Sequence, residues 1–218
     1  MPPTSKPRQR RLNKGEYERL EQASHLTLNP HIWPIIVFAI ETGMRRSEIS
    51  GLKWDAVDTD RRALMVVRTL QRITGMGLVE GTPKTAKSQR SIDLGKDAVE
   101  LLNRIRVTQA ETRLKLGGLW EDQGFVFTLE TGRPIDPDEV TNEFRDLVRN
   151  NSLPHLTFHG LRHAHATLLL SSGIQPKVIS ERLGHSNISI TMDIYSHVLP
   201  SLQREAADTI DRLLASAP

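Results

Sequence analysis

Two stretches decide how this chain is read: Thr157-Phe158-His159-Gly160-Leu161-Arg162-His163-Ala164-His165-Ala166-Thr167, and Leu183-Gly184-His185-Ser186 with Asp193-Ile194-Tyr195-Ser196-His197 downstream of it. His159 and Arg162 are three residues apart, so on a helix they project from one face. Tyr195 is one of 2 tyrosines in the chain. A free phenol has a pKa of about 10 and is almost entirely protonated at neutral pH. Nearby arginines favour its ionised form and a histidine can take its proton. Read alone, Tyr195 is a tyrosine packed at a helix end. Read with His-x-x-Arg and Leu-Gly-His, it is a nucleophile beside a phosphate-binding cluster.

Outward from these segments the pattern is mostly helical. The spacing predicts a helix from His159 to Ser172 that ends at Gly173, and another from Pro176 that stops at Gly184. Ser186 can cap a third, up to Ile194, which leaves Tyr195 on a short segment before the amphipathic helix Ser201 to Leu214. In that last helix Leu202, Ala206, Ile210 and Leu213 line up. Upstream, Asp97 to Leu116 and Pro137 to Asn150 have apolar residues at helical spacing, and Glu16 to Ala23 reads as a short helix. Asn29 and Pro30 predict the cap and first position of a helix running to Thr42, with Gly43 as its stop; Ser47 would cap a turn from Glu48 to Leu52. Between these lies a region of period two. Trp54 to Asp58, Ala63 to Arg68 and Ser88 to Leu94 read as strands, and Gly75 to Pro83 as a loop. The expected fold is α+β: a mainly helical domain with a small three-stranded antiparallel sheet. Residues 1–13 read as a basic flexible tail or linker remnant, 14–200 as the body, and 201–218 as a C-terminal helix and tail.

The composition is that of an ordinary globular chain, with 38% hydrophobic and 25% charged residues in 218. There is no cysteine, which excludes disulfides, thiol catalysis and cysteine-based zinc sites, and suits a reducing cytoplasm. No apolar run approaches the ~20 residues of a membrane span. The net charge of +3 is mild, but its distribution is uneven. Lys6, Arg8, Arg10, Arg11 and Lys14 form an N-terminal arm without an acid, either a solvated tail or a strand that tracks a phosphate backbone.

Arg45, just after the helix-ending Gly43, and Arg162 are candidates for a clamp on one phosphate; the alternative is surface salt bridging. Lys84, in a turn between predicted strands, could deliver a proton to a leaving oxygen, and Lys87 competes for that role. Six of the 8 histidines fall between His155 and His197, so zinc is a rival reading. However, His159 and His163 lack the adjacent glutamate of a zinc peptidase helix, and Arg162 between them repels a cation.

The ordered set Arg45, Lys84, His159-x-x-Arg162, Leu-Gly-His185 and Tyr195 resembles the catalytic domain of the tyrosine recombinases, the phage integrase family. The segments Glu41–Glu48, Thr157–Thr167 and Leu183–His197 look like its three motif blocks, and the likeness covers residues 14 to 200. The resemblance implies the DNA breaking-rejoining fold and site-specific recombination, integrating or excising a mobile element. It assigns Arg45 and Arg162 to the scissile phosphate, Tyr195 to nucleophilic attack and Lys84 to the leaving oxygen. His159 would transfer a proton, His185 would hydrogen-bond the phosphate, and Glu48 would support the site. It implies double-stranded DNA as partner, self-association into a dimer to tetramer on DNA, and a cytoplasmic, nucleoid-associated location. It implies no metal, no nucleotide and no other cofactor. Arg46 stands where many relatives have an apolar residue, as an extra phosphate contact or a surface shield. Family members usually carry an N-terminal domain that clasps the far side of the DNA, so this sequence would be a fragment or a short protein. Topoisomerase IB-like or telomere-resolving activity, and a DNA-binding module without catalysis, remain as alternatives.

Overall fold

A computed structural model describes residues 15, 18, 22, 30–83, 88–153, 156–198 and 202–215; for 195–198, 202–207 and 213 it describes the backbone alone. The helix at the centre is α1, Ile32–Thr42, in which Ile32, Ile35, Ile36, Phe38, Ala39 and Thr42 are all buried. Pro34 falls in its first turn, where a backbone N–H has no intrahelical partner to lose. α1 begins later than predicted: Pro30 lies in a turn and His31 takes the N-cap position. Asn29 lies outside the described residues. So does most of Glu16–Ala23, although Glu18 and Gln22 are both helical. Gly43 ends α1 with φ +66, as its position predicted.

α2, Arg46–Ser50, follows at once. Ser47 lies inside it and does not cap it; Arg45 is the N-cap residue. Trp54–Ala56 form a 3-10 turn where a strand was predicted, closed by Ala56 N–H to Lys53 O at 3.1 Å, and the Trp54 indole Nε1 donates to Gln109 Oε1 at 2.8 Å and lies under Arg106. The sheet is β1 (Val57–Asp58), β2 (Ala63–Val66) and β5 (Arg90–Asp93), antiparallel in the order β1-β2-β5. This is the three-stranded sheet expected from the sequence. Its register pairs Leu64 with Ile92 and Val66 with Arg90, and all four are buried.

The predicted loop at Gly75–Pro83 is instead half of a second hairpin, β3 (Thr69–Ile73) with β4 (Gly77–Gly81). Its glycines suggested a loop, but Gly75 and Gly77, both at φ +80, form the tight turn that joins the strands. Four further helices follow: α3 (Lys96–Leu116), α4 (Pro137–Asn150), α5 (Phe158–Ser171) and α6 (Pro176–Leu183). Asp136 caps α4 and Thr157 caps α5, each accepting a backbone N–H. α7 (Ser189–Val198) and α8 (Leu202–Ala215) end the described chain. α1, α2, the sheet, α3 and α4 share the main core, and Ala166, Leu170, Ile179 and Leu183 form a smaller one between α5 and α6.

A Cβ at Gly43 would stand 2.6 Å from both His165 and Leu183, whereas one at Gly75 would meet nothing within 4 Å. Both positions carry the left-handed backbone cost, and only Gly43 adds overpacking. Gly75→Ala should therefore destabilise by about 1 kcal/mol and Gly43→Ala by about 3 kcal/mol or more, read from urea-denaturation midpoints.

Candidate active site

The site is assembled at the ends of α1 and α6. Glu48, 2% exposed on α2, accepts from the Arg45 backbone N–H and Nη1, both at 2.8 Å, and from Arg90 Nη1 and Nη2 at 3.1 and 3.0 Å. Burial works against this carboxylate, but Arg90 and Arg45 outweigh it and hold its pKa below the ordinary value. Arg90 was not among the residues singled out from sequence. The signal was present: Arg90, Ile92 and Leu94 alternate on one face of the predicted strand, and a charge on the face of Ile92 points inward.

Three successive carbonyls at the end of α6 each accept from an arginine. Arg182 O accepts from Arg90 Nε at 2.6 Å, Leu183 O from Arg162 Nη2 at 2.5 Å and Gly184 O from Arg45 Nη2 at 3.3 Å. The end of α1 is treated alike. Gly43 O accepts from Arg162 Nη1 at 2.7 Å, Glu41 O from Arg182 Nη2 at 3.2 Å, and His165 Nδ1 lies 2.7 Å from Ile40 O. These are carbonyls that a helix leaves without partners, at its negative end, so cations are favoured there. Gly184 is at φ +64, and a Cβ there would meet Arg90 Cδ at 3.0 Å. That is the physical content of the Leu-Gly-His motif: the glycine lets the carbonyl row turn toward the arginines.

Arg162 is 4% exposed. Burial and the charge on Arg45 lower its pKa to about 9, which leaves it charged at neutral pH. His159 and His163 meet edge to face with ring centroids 4.9 Å apart. Burial and the neighbouring Arg162 press both below the ordinary histidine value, with His163 and then Arg45 adding to the effect on His159. His165 is lowered to about 4, chiefly by burial; its Nε2 accepts from Arg182 Nε at 3.2 Å, so its proton is on Nδ1. His185 is lowered to about 4 by burial and by Arg162 and Arg45. Its Nδ1 lies 2.8 Å from the hydroxyl of Thr191.

Thus Arg45, Glu48, His159, Arg162 and His185 come together. Arg90, His165, Arg182 and Thr191 join them without having been singled out, and so does His163, which the sequence offered only as half of a rejected zinc pair. Tyr195 lies within α7, not on a segment between helices: α7 runs on to Val198, and it starts later than a Ser186 cap predicts, where Asn187 Oδ1 takes the Ser189 N–H. The Tyr195 side chain lies outside the described residues, as do Lys84, Lys87 and the arm residues Arg8, Arg10 and Arg11. Arg46 pairs with Asp138 at 3.0 Å and donates to Thr141, which ties α2 to α4. Among the described residues no group of three or more His, Asp or Glu side chains is disposed to hold a metal ion, and no helix is long and apolar enough to cross a membrane. Three guanidiniums beside one carboxylate leave a cationic surplus, which suits an anion such as a phosphate.

Residues 10–201 match the phage integrase family. The chain belongs to the phage integrase family. It is 34% identical over 190 residues to the tyrosine recombinase XerC-like protein of Caldanaerobacter subterraneus subsp. tengcongensis, covering 82% of this chain and 49% of that one. It is 31% identical over 176 residues to the ICEBs1 integrase of Bacillus subtilis, covering 81% and 47%. The chain thus spans about half the length of these relatives. Among solved structures, the Tn1549 transposon integrase in complex with transposon right end DNA is similar with a TM-score of 0.81 at 25% identity, over 97% of this chain and 68% of that one. The XerA recombinase shares the fold, with a TM-score of 0.66 at 23% identity, over 96% and 66%.

The histidines make a pH prediction for this integrase-family domain. His165, 6% exposed, titrates near 4 when folded against 6.5 when unfolded. A folded pKa below the unfolded one gives stability that is present above pH 6.5 and lost as pH falls through 4. Across that window His165 alone should cost about 3 kcal/mol. Urea midpoints should hold steady above about pH 7 and fall below 6.5; in His165→Asn, which cannot titrate, the fall should be shallower.

Proposed function

We propose that this chain carries out site-specific DNA strand cleavage and rejoining through a 3′-phosphotyrosyl intermediate, to integrate or excise a mobile element. The observation that supports this most directly is the cationic surplus of Arg45, Arg90 and Arg162, built into a fold of the phage integrase family. In this reading Arg45 and Arg162 hold the nonbridging oxygens of the scissile phosphate, and His185 donates to one of them. The Tyr195 oxygen attacks phosphorus, and its proton passes to His159, which is held in its neutral form at neutral pH because its pKa is depressed. The P–O5′ bond breaks and Lys84 protonates the departing oxygen. The bond energy stays in the phosphotyrosyl link, so a 5′-hydroxyl can reverse the step without a nucleotide or metal. Glu48 orients Arg45 and does not react.

The substrate is double-stranded DNA, met in the cytoplasm at the nucleoid, with Arg8, Arg10, Arg11 and Lys87 as further backbone contacts. Arg46 stiffens α2 through α4 and its exposed edge can add one more. Protomers associate on DNA through α8: Ile210 is 56% and Leu214 71% exposed, so apolar residues of this helix remain uncovered within one chain.

A nicked suicide DNA substrate should trap a covalent adduct with the wild-type chain and none with Tyr195→Phe. Arg162→Ala should lose about 3 kcal/mol of transition-state stabilisation, on the order of 10²-fold in cleavage rate. Its non-specific DNA affinity should fall far less, since one phosphate contact among many is lost. Equal losses in both measurements would contradict the catalytic role. Truncation after Pro200 should reduce the mass of the DNA-bound assembly in analytical ultracentrifugation; an unchanged mass would overturn the role of α8.

A further inference from the structure

His185 is the candidate phosphate donor, yet a neutral imidazole carries one N–H and can place it on either nitrogen. The hydroxyl of Thr191 stands 2.8 Å from Nδ1, and Thr191 is 0% exposed. Cut off from water, that hydroxyl needs a protein partner, and among the described residues it finds one in His185. Two tautomers are possible. With the proton on Nδ1, the ring donates to Thr191 and Nε2 turns a lone pair toward an anion, which repels it. With the proton on Nε2, Thr191 donates to Nδ1 and Nε2 is free to donate to a phosphate oxygen. Only the second arrangement satisfies Thr191 and the anion together.

We infer that Thr191 is a positioning residue that holds His185 in the Nε2–H tautomer and aims it at the scissile phosphate. Thr191 is also one helical turn ahead of Tyr195 on α7. The same hydrogen bond therefore ties the phosphate-binding histidine to the helix that carries the nucleophile. The motif Leu-Gly-His…Thr…Tyr then reads as one mechanical unit: carbonyl row, donor, latch and nucleophile. This inference rests on the recombinase reading above for the identity of the anion; the choice of tautomer needs only that some anion faces Nε2.

The test is the nitrogen-15 spectrum of His185 in the full chain with inorganic phosphate as the anion, in wild type, Thr191→Val and Thr191→Ser. The Val variant keeps the shape and removes the hydroxyl; the Ser variant keeps the hydroxyl. Wild type and Thr191→Ser should show a protonated Nε2 and an unprotonated Nδ1, and Thr191→Val should show a mixture of tautomers. On the suicide substrate, Thr191→Val should slow adduct formation at least about tenfold, with Thr191→Ser restoring most of the rate. A wild-type spectrum with the proton on Nδ1, or a tautomer unmoved in Thr191→Val, would overturn the inference. Absence of any adduct from the wild-type chain would instead overturn the recombinase reading, and the spectra would still decide the role of Thr191.

Discussion

The carbonyls of Arg182, Leu183 and Gly184 accept from Arg90, Arg162 and Arg45, and the site depends on this row. The three arginines come from β5, from α5 and from the cap of α2. Without a common set of acceptors they would repel one another. The end of α6 supplies that set at low cost, because its last carbonyls would otherwise lack partners. Glu48 supplies the counter-charge, taking four N–H bonds from Arg45 and Arg90. Burying a carboxylate is costly in itself, and here the ion pairs and hydrogen bonds exceed that cost. Breaking one member strands the others: a buried Arg90 without Glu48 is an unpaired charge in the core.

The same arrangement explains the histidines. His159, His163 and His185 are each partly withdrawn from water and each feels Arg162. Both influences disfavour the imidazolium, so the cluster adds hydrogen-bonding capacity without adding charge. His165 differs in its role. It holds Ile40 O with Nδ1 and Arg182 with Nε2, and so joins the end of α1 to the end of α6. Arg182 repeats the link by donating to Glu41 O and to Asp93 O on β5.

Much of this was legible in the sequence. The helices from Asp97 onward show their period, and Gly43 and Gly184 mark their ends because only a left-handed residue can close them there. The convergence of Arg45, Glu48, His159, Arg162 and His185 was legible in the motif segments that carry them. What escaped was set by partners remote in the chain. Ser47 reads as a cap, yet Glu48 takes the Arg45 N–H and moves the helix start back. Gly75 and Gly77 read as a loop because their turn function appears only when Thr69–Ile73 and Gly77–Gly81 pair. Arg90 was hidden since a lone arginine in a strand is ordinarily solvated; its burial requires Glu48, 42 residues earlier.

An active site for a phosphodiester must stabilise charge that appears only in the transition state, and it does so best with dipoles and cations already in place. Here the fixing is done by backbone, not by flexible side chains. Arg162 is held at both Nη atoms by carbonyls at the ends of two different helices, so it cannot swing without stranding both. A guanidinium has five N–H donors, and the two used for anchoring leave others for an incoming phosphate. On the proposed reading the residue is both a clamp between α1 and α6 and an anion contact. That dual use accounts for its near-complete burial, which would be hard to explain for an arginine that served phosphate alone.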